Sequence, residues 1–175
     1  MKDPGMIIAA EPLRDRPRTR GERGERGERG APPPPRLLIG IDPGTDCGIA
    51  WKIGCQPMQV ATKKLLPAME LLTTLVREHG IARTQIWIED ARQNKPAFHR
   101  KGASPAAMLK IAQNVGSVKR DTDLLEQHCQ RLGVKPMMVR PTTAKWDRSM
   151  MRAATGITKP CSQHARDAAK LIVGK

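Results

Sequence analysis

The chain is poor in aromatic side chains, long apolar runs and paired cysteines. Aromatic residues make up 2% of its 175 positions, with one phenylalanine and no tyrosine. No stretch approaches the roughly 18 apolar residues of a membrane-spanning helix, and Met6–Ala10 is too short for the apolar core of a signal peptide. We therefore expect a cytoplasmic protein with no membrane segment.

The cysteines do not form any C-x-x-C pair. They stand at positions 47, 55, 129 and 161. Isolated cysteines of this kind indicate neither a zinc site nor a disulfide framework. We expect reduced thiols, which agrees with the cytoplasm.

Acidic residues are scarce relative to basic ones. The chain holds 31 Lys and Arg against 17 Asp and Glu, a formal net charge of +14. Nine basic and six acidic side chains fall within the first 36 residues, so residues 37–175 carry 22 basic and 11 acidic ones. A strongly basic folded region favours a polyanionic partner, because each phosphate contact releases condensed counterions. Excess charge also serves solubility, but nucleic acid is the predicted partner.

Residues 1–36 differ in composition from the rest of the chain. They include three Gly-Glu-Arg repeats and the run Pro32–Pro35. Such a segment cannot bury a core, and consecutive prolines form a stiff spacer. We predict a disordered basic and proline-rich tail over 1–36, followed by one domain over 37–175.

Asp42 is the first candidate for chemistry. It ends the apolar run Leu37–Ile41 and is followed by the turn Pro43-Gly44-Thr45. A strand offers a rigid mount, and the Pro-Gly pair forces the chain away from it. Asp and Gly also favour tight turns for backbone reasons alone. This segment by itself does not decide between a catalytic acid and an ordinary turn.

Two further clusters supply acidic or imidazole side chains. Glu89 ends a second apolar run, Ile86–Ile88. His164 and Asp167 open an apolar helical pattern and are three positions apart, so they share a helix face. An acid in the first turn of a helix is also favourable without any catalytic role. The three clusters are predicted to meet at one cation.

In order and separation, these segments resemble the RuvC family of Holliday-junction resolvases, which belongs to the RNase H-like nuclease superfamily. The resemblance extends from about Leu37 to Val173 and is carried by IDPGTDCGIA, IWIED and SQHARDAAKLIV. It implies that Asp42 is the acid of the first strand and that Glu89 is the acid that ends the fourth. It also implies that His164 and Asp167 are the pair at the start of the last helix.

The implied chemistry is phosphodiester hydrolysis with two Mg²⁺ ions. Such ions activate a water near neutral pH and stabilise charge on the leaving oxygen, and Mg²⁺ prefers carboxylate ligands. We expect Asp42 to bridge both ions, with Glu89 and Asp167 each completing one side. His164 is expected either to ligate the water-activating ion or to accept a proton from its water. Imidazole is a softer ligand than Mg²⁺ usually takes, so Mn²⁺ should also support activity.

Candidate nucleic-acid contacts lie first in the loop between residues 90 and 102. This loop combines positive charge with the only phenylalanine, and cations grip phosphates while an exposed ring can stack on an opened base step. Its candidates are Arg92, Phe98, Arg100 and Lys101. The family carries a stacking phenylalanine three residues beyond the second acid, where this chain has Arg92. Phe98 is the candidate substitute, and core packing is its alternative role.

Two lysines are further candidates. Lys135 and Lys145 resemble the family's basic residues before and after the fifth strand, which contact the scissile region. Exposed lysines that only meet solvent are equally common on protein surfaces. Both lysines are therefore predicted to contact the nucleic acid near the scissile phosphate.

Periodicity and turn residues predict an α/β domain with a five-stranded mixed sheet and flanking helices, in agreement with the RNase H-like fold. Three short strands form an antiparallel meander, and a helix over 65–79 crosses to a fourth strand parallel to the first. A long helix begins at Ser104-Pro105, and Met137–Val139 is the fifth strand. Helical segments over 143–154 and from Ser162 complete the domain.

A RuvC-like resolvase is a homodimer, because two symmetric nicks in a four-way junction need two active sites related by a twofold axis. The predicted interface is the apolar face of the long helix. Its residues are Met108, Ile111, Val115 and Val118.

Other functions remain open. The same scaffold serves RNA-processing nucleases and suits a flap-cutting or fork-cutting nuclease of viral origin, and a non-catalytic DNA-binding protein could retain it. An actin-like or sugar-kinase ATPase also begins with a strand ending in Asp-x-Gly-Thr. That class needs two such domains and a considerably longer chain, so length argues against it.

Overall fold

The computed structural model describes residues 36–93 and 104–175, which form an α/β domain. Its strands and helices follow one another as β1 (Leu37–Asp42), β2 (Cys47–Ile53), β3 (Gln59–Lys63), α1 (Leu65–His79), β4 (Thr84–Glu89), α2 (Pro105–Arg131), β5 (Met137–Val139), α3 (Arg148–Thr155) and α4 (Gln163–Lys170). Short 3-10 turns at Ile81–Arg83 and Ala91–Gln93 flank β4. The predicted tail lies outside the described residues except for Arg36.

The five strands form one mixed sheet in the order β3-β2-β1-β4-β5. β1 pairs antiparallel with β2, which pairs antiparallel with β3, so the first three strands are the predicted meander. β4 is parallel to β1 and to β5, as expected when α1 serves as a crossover. The α/β class and the mixed five-stranded sheet with flanking helices are thereby confirmed.

Alternate residues of β1 face two different helical layers. Leu37, Ile39 and Ile41 pack in a core with α1 and α2, whereas Leu38 packs with α3 and α4. Successive side chains of a strand point to opposite faces, so Asp42 projects on the same side as Leu38. Because helices cover both faces, every residue of β1 is buried and the strand reads as a continuous apolar run.

Two glycines let α4 lie directly on the sheet. A Cβ atom added at Gly40 would lie 2.2 Å from the carbonyl oxygen of Ala168, and one at Gly48 would lie 2.0 Å from that of His164. Both distances are far below van der Waals contact, and both partners are helix backbone that cannot swing aside. The absence of side chains at these positions therefore brings the start of α4 to the end of β1.

The helix predicted over 143–154 begins later, at Arg148, so this predicted boundary is wrong. Asp147 caps α3, because its carboxylate accepts a hydrogen bond from the backbone N–H of Met150 at 2.8 Å. Upstream, the carbonyl of Trp146 accepts from Arg166 of α4 at 2.9 Å. A backbone held by another element in this way is not available for helical hydrogen bonds.

The long helix α2 begins where the Ser-Pro signal predicted it. Ser104 caps the helix by accepting from the N–H of Ala107 at 3.3 Å. The helix continues through Gly116, where a Cβ atom would meet nothing within 4 Å, so this glycine neither breaks α2 nor packs closely. The buried residues of α2 lie in its second half, from Asp121 to Cys129. Within the described ranges, no helix combines the length and apolarity needed to cross a membrane.

Candidate active site

Asp42 and Glu89 end two neighbouring parallel strands. Ile41 of β1 pairs with Ile88 of β4, so the residues that follow them come side by side at the carboxyl edge of the sheet. Glu89 has the same parity as Trp87, which packs in the core shared with α4. Both carboxylates therefore project on the α4 side, where Asp42 is only 7% exposed.

The start of α4 brings an imidazole to Asp42. Ser162 caps the helix by accepting from the N–H of Ala165 at 3.0 Å, and its hydroxyl lies 2.6 Å from that of Thr62 at the end of β3. At the second residue of the helix, His164 Nδ1 donates to Asp42 Oδ2 at 2.7 Å, the direction that an ionised carboxylate requires. The predicted meeting of residues 42 and 164 is therefore direct.

The turn after Asp42 leaves room for this imidazole. A Cβ atom at Gly44 would lie 3.5 Å from His164 Cε1, so the backbone of the Pro-Gly turn runs beside the ring. The side chain of His164 is 47% exposed despite the contact with Asp42. One edge of the ring is therefore engaged while the ring remains open to solvent.

Asp167 lies on the same helix face as His164 but has different partners. It is 4% exposed, and Lys145 Nζ donates to its Oδ2 at 2.5 Å. Gln163 Nε2 donates to its Oδ1 at 3.0 Å. The structure thus brings Lys145 to the acidic cluster, with half of its side chain exposed at 52%.

Lys135, the other predicted lysine, lies elsewhere. It precedes β5, whereas Val139, the β5 partner of Glu89, lies at the other end of that strand. At about 3.3 Å per residue of extended chain, the four positions from Lys135 to Val139 span roughly 13 Å. Lys135 is exposed there, and its contact with nucleic acid stays a prediction.

Two of the three carboxyl groups, Asp42 and Glu89, have a raised pKa. Burial is the largest effect on Glu89 and raises its pKa, and the charges of Asp42 and Asp167 raise it further. Lys145 and Lys170 lower it, and the resulting pKa is about 7. Burial also raises the pKa of Asp42, although its hydrogen bond to His164 and the charge of that ring oppose the rise. The charge of Asp167 adds to it. The charges of these acids therefore act on one another's neighbours at this edge of the sheet, which favours a positive charge nearby.

Lys145 supplies one positive charge beside these acids. Partial burial lowers the pKa of Lys145, but its hydrogen bond and charge interaction with Asp167 outweigh this effect. The charges of Glu89 and Asp42 act in the same direction, so the pKa lies above its ordinary value. Lys145 is therefore a cation at neutral pH.

A metal ion would compete with the partners that the acids already have. Among residues 36–93 and 104–175, no three His, Cys, Asp or Glu side chains lie close enough together to hold one. Asp42 is paired with His164 through Oδ2, and Asp167 is paired with Lys145 through Oδ2 and with Gln163 through Oδ1. The donor chemistry nevertheless fits a hard divalent ion, because it offers carboxylate oxygens and one imidazole. Metal binding at Asp167 therefore requires its pair with Lys145 or with Gln163 to open, whereas His164 engages only Oδ2 of Asp42.

An open cleft of about 360 Å³ adjoins the cluster. Glu89 and Asp167 line it together with basic side chains, which are Arg140, Lys170 and Lys175. A larger groove of about 700 Å³ runs between β3 and residues 156–162, and none of the four candidate residues lines it. The smaller cleft is the one in which acids and cations meet.

The loop candidates have separate outcomes. Arg92 lies 2.7 Å from Asp90 and 2.7 Å from Glu126, and it also pairs with Asp123, so its guanidinium ties the end of β4 to α2. Asp90 is 6% exposed, and its hydrogen bonds from Arg92 and Gln93 lower the pKa of its carboxyl despite burial. Contact of Arg92 with nucleic acid stays a prediction. Phe98, Arg100 and Lys101 lie outside the described residues.

Sequence reasoning missed three polar residues of α4. Arg166 donates to the carbonyls of Trp146 and Cys161 and to Gln163, and Lys170 donates to Thr142 and to the carbonyl of Ala144. Their signal was the spacing of residues 163, 166, 167 and 170, which places them on one helix face. That spacing shows a polar face but not its partners.

The chain matches no protein-family model and no curated protein sequence. The resemblance to the resolvase family therefore rests on the three motifs.

Proposed function

We propose that this protein is a Mg²⁺-dependent, structure-selective DNA endonuclease with an RNase H-like fold, and that it resolves four-way junctions as RuvC-like enzymes do. The observation that carries the proposal is the contact of His164 with Asp42 at the carboxyl edge of β1 and β4, where the charges of Asp42 and Asp167 also act on Glu89. The charge of Asp167 raises the pKa of Asp42 and of Glu89, in both cases after the larger effect of burial. Such a cluster costs folding free energy unless a cation meets it.

Asp42, Glu89 and Asp167 would hold the metal. When bound, a pair of divalent ions supplies an activated water and stabilises charge on the leaving oxygen. Asp42 is the central ligand in this proposal, because it lies between Glu89 on the neighbouring strand and His164 on α4. Mn²⁺ should replace Mg²⁺, since His164 adds a softer donor to the set.

The hydrogen bond to Asp42 supports the role of His164 as a proton acceptor. When neutral imidazole donates from Nδ1, its Nε2 carries the free lone pair. Asp42 therefore orients the ring and fixes this tautomer, as a carboxylate does for a catalytic histidine. The exposure of the ring leaves Nε2 accessible to a water or a phosphate ester.

Lys145 would contact the scissile phosphate. It is charged and half exposed, it contacts Asp167, and the charges of Glu89 and Asp42 also act on it. Its ammonium group, which now compensates the charge of Asp167, is close enough to the acids to compensate the charge of a phosphate bound beside them.

The surrounding charge supports a nucleic-acid substrate. Residues 37–175 carry a net +11, and Arg140, Lys170 and Lys175 line the cleft beside Glu89. Acids alone would repel a phosphodiester strand, whereas a basic rim around them holds it. We place the path of the cleaved strand along this cleft.

A homodimer is part of the proposal. The first half of α2 carries Met108, Ile111, Val115 and Val118 at half-buried positions, and the neighbouring Leu109 is 62% exposed. A second copy related by a twofold axis would cover this face and bring a second active site to the opposite strand of a junction.

The test is a side-by-side digestion of four-way DNA, flap DNA and structured RNA with Mg²⁺ and with Mn²⁺. A junction resolvase cuts the four-way DNA in preference, at symmetric positions on opposite strands. If the protein preferred the flap or the RNA, that nucleic acid would be its substrate and the four-way junction would not. Lack of cleavage of every substrate with both metals would contradict the nuclease proposal and favour a non-catalytic DNA-binding protein.

A further inference from the structure

Asp167 uses both of its carboxylate oxygens in the described structure. Lys145 Nζ donates to Oδ2 at 2.5 Å and Gln163 Nε2 donates to Oδ1 at 3.0 Å. The carboxylate is 4% exposed, so these two donors, and not water, define its orientation.

The orientation of Gln163 is set in turn by Arg166. Arg166 Nη2 donates to Gln163 Oε1 at 2.7 Å. A guanidinium has only donors, so the amide must present its oxygen to Arg166 and consequently its NH₂ group to Asp167. Without Arg166, the Gln163 amide could turn and place its oxygen against the carboxylate.

Arg166 also holds the segment that carries Lys145. Its Nε donates to the carbonyl of Trp146 at 2.9 Å, and its Nη1 donates to the carbonyl of Cys161 at 2.7 Å. Lys170, one turn further along α4, donates to the carbonyl of Ala144 at 2.7 Å. The carbonyls before and after Lys145, those of Ala144 and Trp146, therefore both accept hydrogen bonds from cationic side chains of α4.

We propose that Arg166 is a positioning residue that sets both partners of Asp167, Gln163 through its amide and Lys145 through the carbonyl of Trp146. Three donors of one planar group reach three different acceptors. Lysine carries the same charge but lacks the rigid fork, so it cannot replace arginine at this position. Lys170 supports the same segment from its other side.

The consequence for cleavage rests on the proposed function. Substitution of a residue that hydrogen-bonds to a metal ligand and orients it typically lowers activity or metal affinity by about 10-fold to 100-fold. We expect Arg166→Ala to lower junction cleavage within that range while junction binding stays within about twofold, because Arg166 orients groups at the cleavage site and does not bind the strand.

A measurement without metal or DNA tests the positioning itself. Trypsin cuts after Lys145 only if residues 142–147 leave α4, so cleavage of the Lys145–Trp146 bond, scored by mass spectrometry, reports opening of the segment. We expect Arg166→Ala and Arg166→Lys to increase the rate of this cut by about tenfold or more. Lys170→Ala should also increase it, and it provides a second variant if Arg166→Ala does not fold.

The matched control is Arg152→Ala. Arg152 is exposed on α3, and its guanidinium makes no hydrogen bond or ion pair to the described residues. Its loss should leave the rate at the Lys145–Trp146 bond unchanged. Equal rates in the Arg166, Lys170 and Arg152 variants would overturn the positioning role, and so would a full return to the wild-type rate in Arg166→Lys.

The two proposals fail separately. If the wild-type protein cuts no nucleic acid but the Arg166 variants open the segment, positioning stands and the nuclease proposal falls. If the wild-type protein resolves junctions and the Arg166 variants neither open the segment nor lose cleavage, the nuclease proposal stands and the role of Arg166 is wrong.

Discussion

His164 Nδ1 donates to Asp42 Oδ2 at 2.7 Å across 122 positions of sequence. The contact exists because β1 ends at Asp42, because Ser162 starts α4, and because Gly40 and Gly48 let the helix rest on the strands. Burial and the charge of Asp167 would otherwise leave Asp42 poorly compensated. This relationship supports the view of the carboxyl edge of the sheet as a reaction site.

The glycines under α4 should be intolerant of a methyl group. We expect Gly48→Ala and Gly40→Ala each to lower the free energy of unfolding by about 1–3 kcal/mol, because the added Cβ would collide with helix backbone. Gly116→Ala is the control, since it has open space inside α2 and should stabilise the protein by about 0.5–1 kcal/mol. Urea unfolding at neutral pH measures all three. Equal, small effects would show that α4 does not lie so close to the sheet.

Glu89 should make stability depend on pH. The pKa of Glu89 is about 7 in the folded protein against an ordinary value of 4.5, so between these values the folded state binds more proton than the unfolded state. The contribution of Glu89 to stability is therefore full below about pH 4.5 and is lost as the pH rises through about 7. We expect Glu89→Gln, which stays neutral, to lose less stability than the wild type over this interval.

Thermal unfolding in chelator-containing buffers from pH 4.5 to pH 8 measures this difference. Glu78→Gln serves as the control, because Glu78 is exposed near the end of α1. Parallel pH curves for the wild type and Glu89→Gln would contradict the raised pKa.

Mg²⁺ should stabilise the folded protein. A ligand that binds only the native state adds about 2.7 kcal/mol when its concentration is 100 times its Kd. We expect Mg²⁺ to raise the Tm of the wild type at a pH above 7, where Glu89 is ionised, and to leave that of Asp42→Asn unchanged. Asp46→Asn is the control, since Asp46 is exposed and pairs with Lys64 outside the cluster. An equal rise in Asp42→Asn would place the metal elsewhere.

Lys145 and Lys135 should differ in what they support. Lys145→Ala should lower the cleavage rate by about 10-fold to 100-fold with little change in junction affinity, because it acts on Asp167 and the scissile phosphate. Lys135→Ala should weaken binding in a salt-dependent way and leave cleavage at saturating protein nearly unchanged. Single-turnover cleavage and binding titrations at two salt concentrations separate the two. Equal effects on binding and cleavage for Lys145→Ala would refute its assignment.

The sequence was sufficient to predict that Asp42 and Glu89 each end a strand. Asp42 and Glu89 each close an apolar run, and the period of two residues along a strand sends both to the same face once β1 and β4 are parallel neighbours. The caps Ser104 and Ser162 likewise marked the starts of α2 and α4. These features depend on local chemistry, which a sequence shows directly.

Features that depend on tertiary contacts were not predictable. Residues 143–147 have a sequence compatible with a helix, yet Arg166 and Lys170 hold their carbonyls from another element. Arg92 suggested a phosphate contact, and its engagement with Asp123 and Glu126 of α2 could not be seen before the fold was known. Long polar side chains reach partners that spacing alone does not identify.

The central claim is that Asp42 and Glu89 are catalytic acids of a junction-cleaving nuclease. The direct measurement is cleavage of a synthetic four-way junction with Mg²⁺ by the wild type, Asp42→Asn and Glu89→Gln, with junction binding measured in parallel. We expect symmetric cleavage by the wild type and loss of cleavage with retained binding in both variants. Cleavage by either variant at the wild-type rate, or an inactive wild type with both Mg²⁺ and Mn²⁺, would contradict it.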